Sequence, residues 1–148
     1  MIHLGPYRAI ICGGRTYGQL VEWPEGERAL RLEQMNFMAE YLDAFVARFG
    51  KPDKVFEGGA LGADAVGAMW CRARGVPVTT CKPDWSKGRA AGIQRNGTML
   101  TVLRAFRSQF EPVVIGFPGG VGTAHMLETA NLACCRVFKV EHGVIPVW

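Results

Sequence analysis

Three pairs of adjacent glycines are the residues in this chain best suited to bind a charged group. Each pair directly follows an apolar run, and the pairs are Gly13-Gly14, Gly58-Gly59 and Gly119-Gly120. With Gly18, Gly62 and Gly122 they make up nine of the chain's 19 glycines. Glycine lets backbone N–H groups approach an anion closely, and the start of a helix adds unpaired donors and a favourable dipole. The three loops together indicate a phosphate or carboxylate site, although turn geometry explains any single loop equally well.

Polar side chains further along the chain extend this prediction towards a nucleotide. Arg95 can bind phosphate through two parallel hydrogen bonds. Asn96 can bond a ribose hydroxyl or cap a helix, and the sequence favours neither role. Trp85, close to Lys87, can stack on a base or hold its own loop against the domain.

Two carboxylates beside the second glycine pair are the candidate catalytic groups. Glu57 ends the preceding apolar run, and Asp64 begins the helix that we expect to follow. A carboxylate can stabilise an oxocarbenium-like state or activate water when an N-glycosidic bond is cleaved. Asp64 also has a structural explanation, because a negative charge at a helix N-terminus interacts favourably with the helix dipole.

The composition is that of a single globular domain over residues 1–148. Hydrophobic residues make up 49% of the chain and charged residues 20%, which excludes a disordered or fibrous protein. No apolar run approaches the roughly 18 residues of a transmembrane helix, and the N-terminus does not resemble a signal peptide. The five cysteines are an odd number without a C-x-x-C pair, so we expect no disulfide framework, no metal site and no cofactor. These features predict a cytoplasmic protein without membrane association.

Basic residues are concentrated in one segment. Between Cys71 and Arg107 the chain carries eight cations and one anion, whereas the whole protein has a formal net charge of only +4. Arginine predominates among the cations, and its planar, bidentate donors suit phosphate and carboxylate groups. A solvated helix face explains such a cluster about as well as an anionic partner.

Apolar runs rich in β-branched residues alternate with helical patterns along the whole chain. The predicted strands are Tyr7–Cys12, Lys54–Glu57, Val76–Cys81, Val113–Phe117 and Arg136–Val140, with Val144–Trp148 as a further candidate. The predicted helices are 30–49, a segment around Val66–Ala73, Ile93–Ser108 and Thr123–Cys134, with a loop at Lys82–Gly92 and a surface insertion at Gln19–Arg28. This alternation predicts an α/β fold, Rossmann-like and doubly wound, with a mainly parallel sheet and helices on both faces. Ligands of such sheets bind at the carboxyl ends of the strands.

The glycine loops match neither of two widespread phosphate-binding motifs. The chain has no G-x-x-x-x-G-K-[ST] sequence, and Gly58-Gly59-Ala60-Leu61-Gly62 does not give G-x-G-x-x-G. A P-loop NTPase or a standard NAD-dependent dehydrogenase is therefore disfavoured.

Ordered sequence blocks between about Arg8 and Val140 resemble the YspA-type, cpYpsA-related branch of the SLOG superfamily. The blocks are Gly13-Gly14-Arg15, the segment from Gly58 to Asp64, Pro83-Asp84-Trp85, the segment from Ala91 to Asn96 and the segment from Phe117 to Thr123. SLOG domains are Rossmann-like nucleotide-binding folds that include the Lonely-guy phosphoribohydrolases and the DNA-processing protein DprA. The resemblance implies the same fold and a nucleotide ligand, but the range of functions on this fold leaves the activity open.

The resemblance also implies roles for individual residues. The loop that holds the nucleotide phosphate in Lonely-guy enzymes corresponds here to Gly119, Gly120, Gly122 and Thr123. Arg95 corresponds to the arginine that those enzymes place near the ribose and the glycosidic bond. Because Lonely-guy proteins are commonly dimers, the resemblance implies a homodimer.

One departure from the resembling enzymes concerns the catalytic acid. They carry a glutamate three residues after the threonine, where this chain has Met126. Glu128 lies about 200° further round the helix and cannot simply substitute. His125 is close enough to act as an acid or a base, although a lone histidine on a helix is more often structural.

Three functional hypotheses follow, and nucleotide binding without turnover, to sense or sequester the ligand, ranks first. The alternative is hydrolysis of the N-glycosidic bond of a nucleoside 5'-monophosphate, with Asp64 or Glu57 as the acid. Single-stranded nucleic-acid binding ranks last, because one short chain with acidic flanks shows no second groove for a strand. The predicted ligand-binding residues are Gly13, Gly14, Arg15, Gly58, Gly59, Gly62, Asp64, Trp85, Lys87, Arg95, Asn96, Gly119, Gly120, Gly122 and Thr123.

Overall fold

Five parallel strands form one sheet in the computed structural model, which describes residues 1–19 and 26–148. The strands are β1 (Tyr7–Cys12), β2 (Val55–Glu57), β3 (Val78–Thr80), β4 (Glu111–Gly116) and β5 (Arg136–Lys139). They lie in the order β3-β2-β1-β4-β5. The chain thus runs outward from β1 to one edge, returns beside β1 and continues to the other edge. This arrangement confirms the predicted Rossmann-like, doubly wound α/β fold.

Helices cover both faces of the sheet. They are α1 (Arg28–Phe49), α2 (Ala63–Ala73), α3 (Ala91–Arg104) and α4 (Val121–Leu132), with a 3₁₀ helix at Trp85–Ala90 before α3. Alternate residues of β1 enter different cores: Ile11 packs with residues of α1 and α2, whereas Ile10 packs with residues of α3 and α4. Burial on both faces explains why residues 9–12 of β1 and 113–116 of β4 are apolar without interruption.

The observed elements differ from the predicted ones mainly at their ends. β2 begins at Val55, β3 is only three residues long, and α3 ends at Arg104. The predicted loop at Lys82–Gly92 contains the 3₁₀ helix, which begins where the Asp84 carboxylate accepts a hydrogen bond from the Ser86 N–H at 3.1 Å. Of the predicted surface insertion, residues 20–25 lie outside the described part of the chain.

The C-terminal segment is not a strand, and the prediction of one at Val144–Trp148 was wrong. Trp148 instead packs against three aromatic rings of α1, with its ring centroid 5.6 Å from Tyr41, 5.6 Å from Phe45 and 5.5 Å from Phe49. The segment therefore covers α1 and does not extend the sheet beyond β5, because the Trp148 ring packs against aromatic side chains of α1.

Three apolar residues that fall within the predicted helices are exposed. Met69 is 46% exposed, Ala73 is exposed, and Phe106 is 50% exposed. Phe106 follows the end of α3 and lies against the Arg8 guanidinium, whose carbon is 5.0 Å from the ring centroid. A helical pattern of apolar residues does not show how wide the buried face is. None of the helices in the described residues has the length and apolar character that crossing a bilayer requires.

The turn after α4 offers a stability test. Cys134 adopts a left-handed backbone conformation, with φ at 60°, while Cys135 N–H donates to Ala130 O at 3.0 Å. Glycine is the residue that this helix-ending turn favours, because a Cβ is strained there. We expect Cys134→Gly to raise the free energy of unfolding by about 0.5–1 kcal/mol in urea denaturation. Cys134→Ala, which keeps the Cβ, is the control and gives no such gain; equal stability of the two variants would contradict the account.

Candidate functional site

A cleft opens at the carboxyl end of the sheet, beside the point where β1 and β4 are neighbours. Its volume is about 510 Å³, and we call it the main cleft. In a doubly wound sheet this point, where the strand order reverses, is where ligands bind. The predicted site residues that line the main cleft are Gly13, Gly14, Arg15, Asp64, Trp85, Arg95, Asn96, Gly120, Gly122 and Thr123.

A smaller volume of about 310 Å³, the side lobe, adjoins the main cleft. Gly58 and Gly59 line it, so the second glycine loop faces this lobe. The residues common to both linings are Arg15, Ala60, Trp85 and Arg95. The two volumes therefore form one divided groove.

Four predicted site residues line neither volume. They are Glu57, Gly62, Lys87 and Gly119. Lys87 is exposed on the 3₁₀ helix, and Gly119 lines a separate depression on the other side of its loop. These four residues therefore do not border the groove.

Backbone contacts at Gly14 hold the three glycine loops together. Its N–H donates to Pro118 O at 2.9 Å, and its carbonyl accepts from Ala63 N–H at 3.1 Å. A Cβ on Gly62 would overlap the Gly14 carbonyl, and a Cβ on Gly119 would lie 2.7 Å from the Gly14 nitrogen. Gly62 and Gly119 are therefore required for packing between the loops.

The first turn of α4 presents open backbone to the main cleft. Among the described residues, a Cβ placed on Gly120 or Gly122 would meet nothing within 4 Å, and no side chain caps the helix. The first N–H groups of an α-helix have no partner within the helix and carry the positive end of its dipole. This turn has the donors and the space to hold an anionic group.

Arg95 is the best-anchored cation of the main cleft. Its Nη1 donates to Gly58 O at 2.5 Å and to Cys81 O at 3.4 Å, and its Nε donates to the Asn96 amide oxygen at 3.1 Å. These bonds fix the guanidinium while its Nη2 makes no hydrogen bond to a described residue. Arg15 and Arg89 line the same cleft and add positive charge.

Asp64 is the carboxylate that lines the main cleft. It is only 5% exposed, and its Oδ2 accepts a hydrogen bond from Ala60 N–H at 3.2 Å. Burial raises the pKa of Asp64 to about 6, against the opposing effects of the Ala60 hydrogen bond and the Arg95 charge. Asp64 can therefore give up or take a proton close to neutral pH.

Glu57 has a structural position. It is 2% exposed and accepts hydrogen bonds from Gly59 N–H at 2.7 Å and from the Thr80 hydroxyl at 2.5 Å. Each carboxylate oxygen thus holds a neighbouring backbone or side-chain donor. Glu57 therefore stabilises the conformation of the loop after β2.

Sequence reasoning missed most of the apolar surface of the main cleft. Ile93 and Val121 line it while 57% and 88% exposed, and Trp85 is 55% exposed beneath the Arg15 guanidinium at 5.3 Å. Met126, 1% exposed, lies at the base of the cleft. The sequence offered one signal for Ile93 and Val121. Both lie at the start of a helix, where an apolar residue does not have to face the core.

Other chemistry in the groove is limited. The Cys12 thiol lines the main cleft, but burial raises its pKa to about 12, so it is not a nucleophile at neutral pH. Within residues 1–19 and 26–148, no group of three or more His, Cys, Asp or Glu side chains is arranged to hold a metal ion.

The fold and the groove define the class of protein: a Rossmann-like domain whose glycine loops meet at the sheet's switch point. The chain belongs to the YspA, cpYpsA-related SLOG family, whose model matches residues 7–88, more than half of the chain. Membership of this family indicates a nucleotide-related binding role. The matched range includes the first two glycine loops and ends before α3. Comparisons with curated proteins and with solved structures give no match.

The raised pKa of Asp64 predicts a pH dependence of stability. The folded protein binds this proton more tightly than the unfolded chain, whose aspartate pKa is about 3.9. Protonation of Asp64 therefore contributes about 2–3 kcal/mol to the free energy of unfolding. This contribution is complete below about pH 4 and is lost as the pH rises through about 6. We therefore expect the stability of Asp64→Asn, relative to wild type, to increase by that amount between pH 4 and pH 7.

Urea denaturation at several pH values measures this difference. Glu128→Gln, which removes an exposed carboxylate of α4, is the matched control for the loss of one carboxylate. An Asp64→Asn difference that is the same at pH 4 and pH 7 would contradict the assigned environment.

Proposed function

We propose that this protein binds a nucleotide or nucleotide-derived ligand and senses or sequesters it without turnover. The observation that carries the proposal is the first turn of α4, where the open backbone at Gly120 and Gly122 shares one cleft with Arg95. Backbone N–H groups and a guanidinium both donate hydrogen bonds to a phosphate, and the helix dipole favours its negative charge.

The apolar surface of the main cleft supports a nucleotide over a free inorganic anion. Trp85, Ile93 and Val121 are exposed apolar side chains around the same cleft that holds the anion donors. Small-molecule sites combine such apolar walls with a few polar groups. A base and a ribose can cover these side chains while the phosphate contacts α4.

The residue at the base of the cleft favours binding over hydrolysis. Met126 occupies the position where the resembling phosphoribohydrolases carry a glutamate, and its side chain is buried there. A thioether neither donates a proton nor stabilises a positive charge as a carboxylate does. The ligand is therefore retained without cleavage of its glycosidic bond.

A second candidate, hydrolysis of nucleoside 5'-monophosphates, is favoured by Asp64 alone. This buried carboxyl lines the main cleft and has a pKa near 6, which suits a general acid. Incubation with AMP, GMP and CMP, followed by chromatography for free base, separates the two functions. We expect intact nucleotide; base release that disappears in Asp64→Asn would establish the second candidate instead.

Calorimetry and thermal denaturation with AMP, ADP-ribose, NAD and cyclic nucleotides test the binding proposal. A ligand present at about 100 times its dissociation constant stabilises by about 2.7 kcal/mol, or roughly 5–10 °C for a chain of this size. The proposal predicts such a shift for at least one member of the panel. The absence of binding by all of them would overturn it.

A matched pair of glycine variants tests the placement of the phosphate. Gly122→Val fills open space at the first turn of α4, and Gly97→Val fills equally open space on α3, outside the groove. We expect Gly122→Val to weaken nucleotide binding by about tenfold or more, because hydrogen bonds to a charged group are lost. Gly97→Val should bind like wild type, measured by calorimetry. Equal affinities of the two variants would place the phosphate elsewhere.

A further inference from the structure

We propose that Asn96 and His125 are positioning residues that fix the Arg95 guanidinium relative to the first turn of α4. This inference rests on the proposed function, because it concerns the two groups expected to hold the phosphate. It assigns to Asn96 a role other than contact with a ribose hydroxyl, and it gives His125 a role in the site.

The amide oxygen and nitrogen of Asn96 both form hydrogen bonds within the protein. The side chain is 5% exposed, and its oxygen accepts from Arg95 Nε at 3.1 Å. Its nitrogen lies 3.4 Å from Gly122 O and 3.3 Å from His125 Nδ1. An amide nitrogen has two protons to donate, and these two acceptors take both.

Arg95 Nε–H, which only donates, and Gly122 O, which only accepts, set the orientation of this amide, and the amide in turn sets the tautomer of His125. Because an amide nitrogen only donates, Nδ1 of His125 must be the acceptor, and the ring proton is on Nε2. Nε2 lies 3.4 Å from the Thr129 hydroxyl, which can accept that proton. In the flipped orientation the amide oxygen of Asn96 would face Gly122 O and Nδ1, and its nitrogen would face Arg95 Nε–H. The chain of bonds therefore has one consistent arrangement.

One amide thus joins two anion-binding elements that come from separate helices. Arg95 belongs to α3, whereas Gly122 and His125 belong to α4. With Nε held by Asn96 and Nη1 held by Gly58 O, two edges of the guanidinium are fixed before a ligand arrives. A binding group that is held in advance loses less conformational freedom on association, so its interaction contributes more to affinity.

Nuclear magnetic resonance of the ligand-free protein tests the arrangement directly. We expect the ¹⁵N shifts of His125 to show a neutral ring with the proton on Nε2, and the Arg95 Nε–H signal to be protected from solvent exchange. Asn96→Ala should remove that protection while the backbone spectrum stays folded. A proton on Nδ1, or unchanged Arg95 exchange in Asn96→Ala, would overturn the inference.

A double-mutant cycle with AMP tests the functional consequence. His125→Phe removes the Nδ1 acceptor and should weaken AMP binding by about three- to tenfold, the effect expected for one hydrogen bond. In an Arg95→Ala background the same change should have no further effect, because His125 acts through Arg95. His125→Asn, whose amide oxygen can replace Nδ1, should recover affinity to within about twofold of wild type. His3→Phe, at an exposed residue, is the matched control and should leave affinity unchanged.

The outcomes separate this inference from the proposed function. If wild type binds no nucleotide of the panel, the proposed function fails and this inference falls with it. If wild type binds AMP or another member of the panel, that nucleotide serves as the probe. Equal affinity of His125→Phe, or effects of His125→Phe and Arg95→Ala that simply add, would then overturn the positioning role alone.

Discussion

The backbone of Gly14 is the contact on which the groove depends. Through its N–H it binds the loop after β4, and through its carbonyl it binds the start of α2. These bonds join the ends of strands that are separate in sequence, at the point where the strand order reverses. The groove has its shape because this close backbone contact leaves no room for a side chain at Gly62 or Gly119.

The same contact divides the glycines by their physical roles. Gly62 and Gly119 pack loop against loop, while Gly120 and Gly122 face open space at the start of α4. The high glycine content of the loops therefore has two causes, close packing between loops and open backbone at the start of α4. The carboxylates divide in a similar way, since Glu57 holds the loop after β2 and Asp64 borders the main cleft.

Much of the fold and part of the site could be predicted from the sequence, for identifiable reasons. Apolar runs buried on both faces, each followed by a helical pattern, have few alternatives to a parallel sheet. Arg95 and the α4 turn, both predicted as site residues, line one cleft, because both follow the carboxyl ends of strands. The sequence could not place Lys87, whose exposure depends on the 3₁₀ helix, or the partners of Asn96. Two of those partners, Gly122 and His125, come from α4, and contacts between separate helices leave no trace in local spacing.

The central claim is that a phosphate contacts the first turn of α4 beside Arg95. A ¹H–¹⁵N titration with AMP, or with the panel nucleotide that binds best, tests it most directly. The account predicts that the largest amide shifts occur at Val121, Gly122 and Thr123, together with a shift of the Arg95 Nε–H signal. Shifts confined to other parts of the chain, with these four signals unchanged under saturating nucleotide, would contradict it.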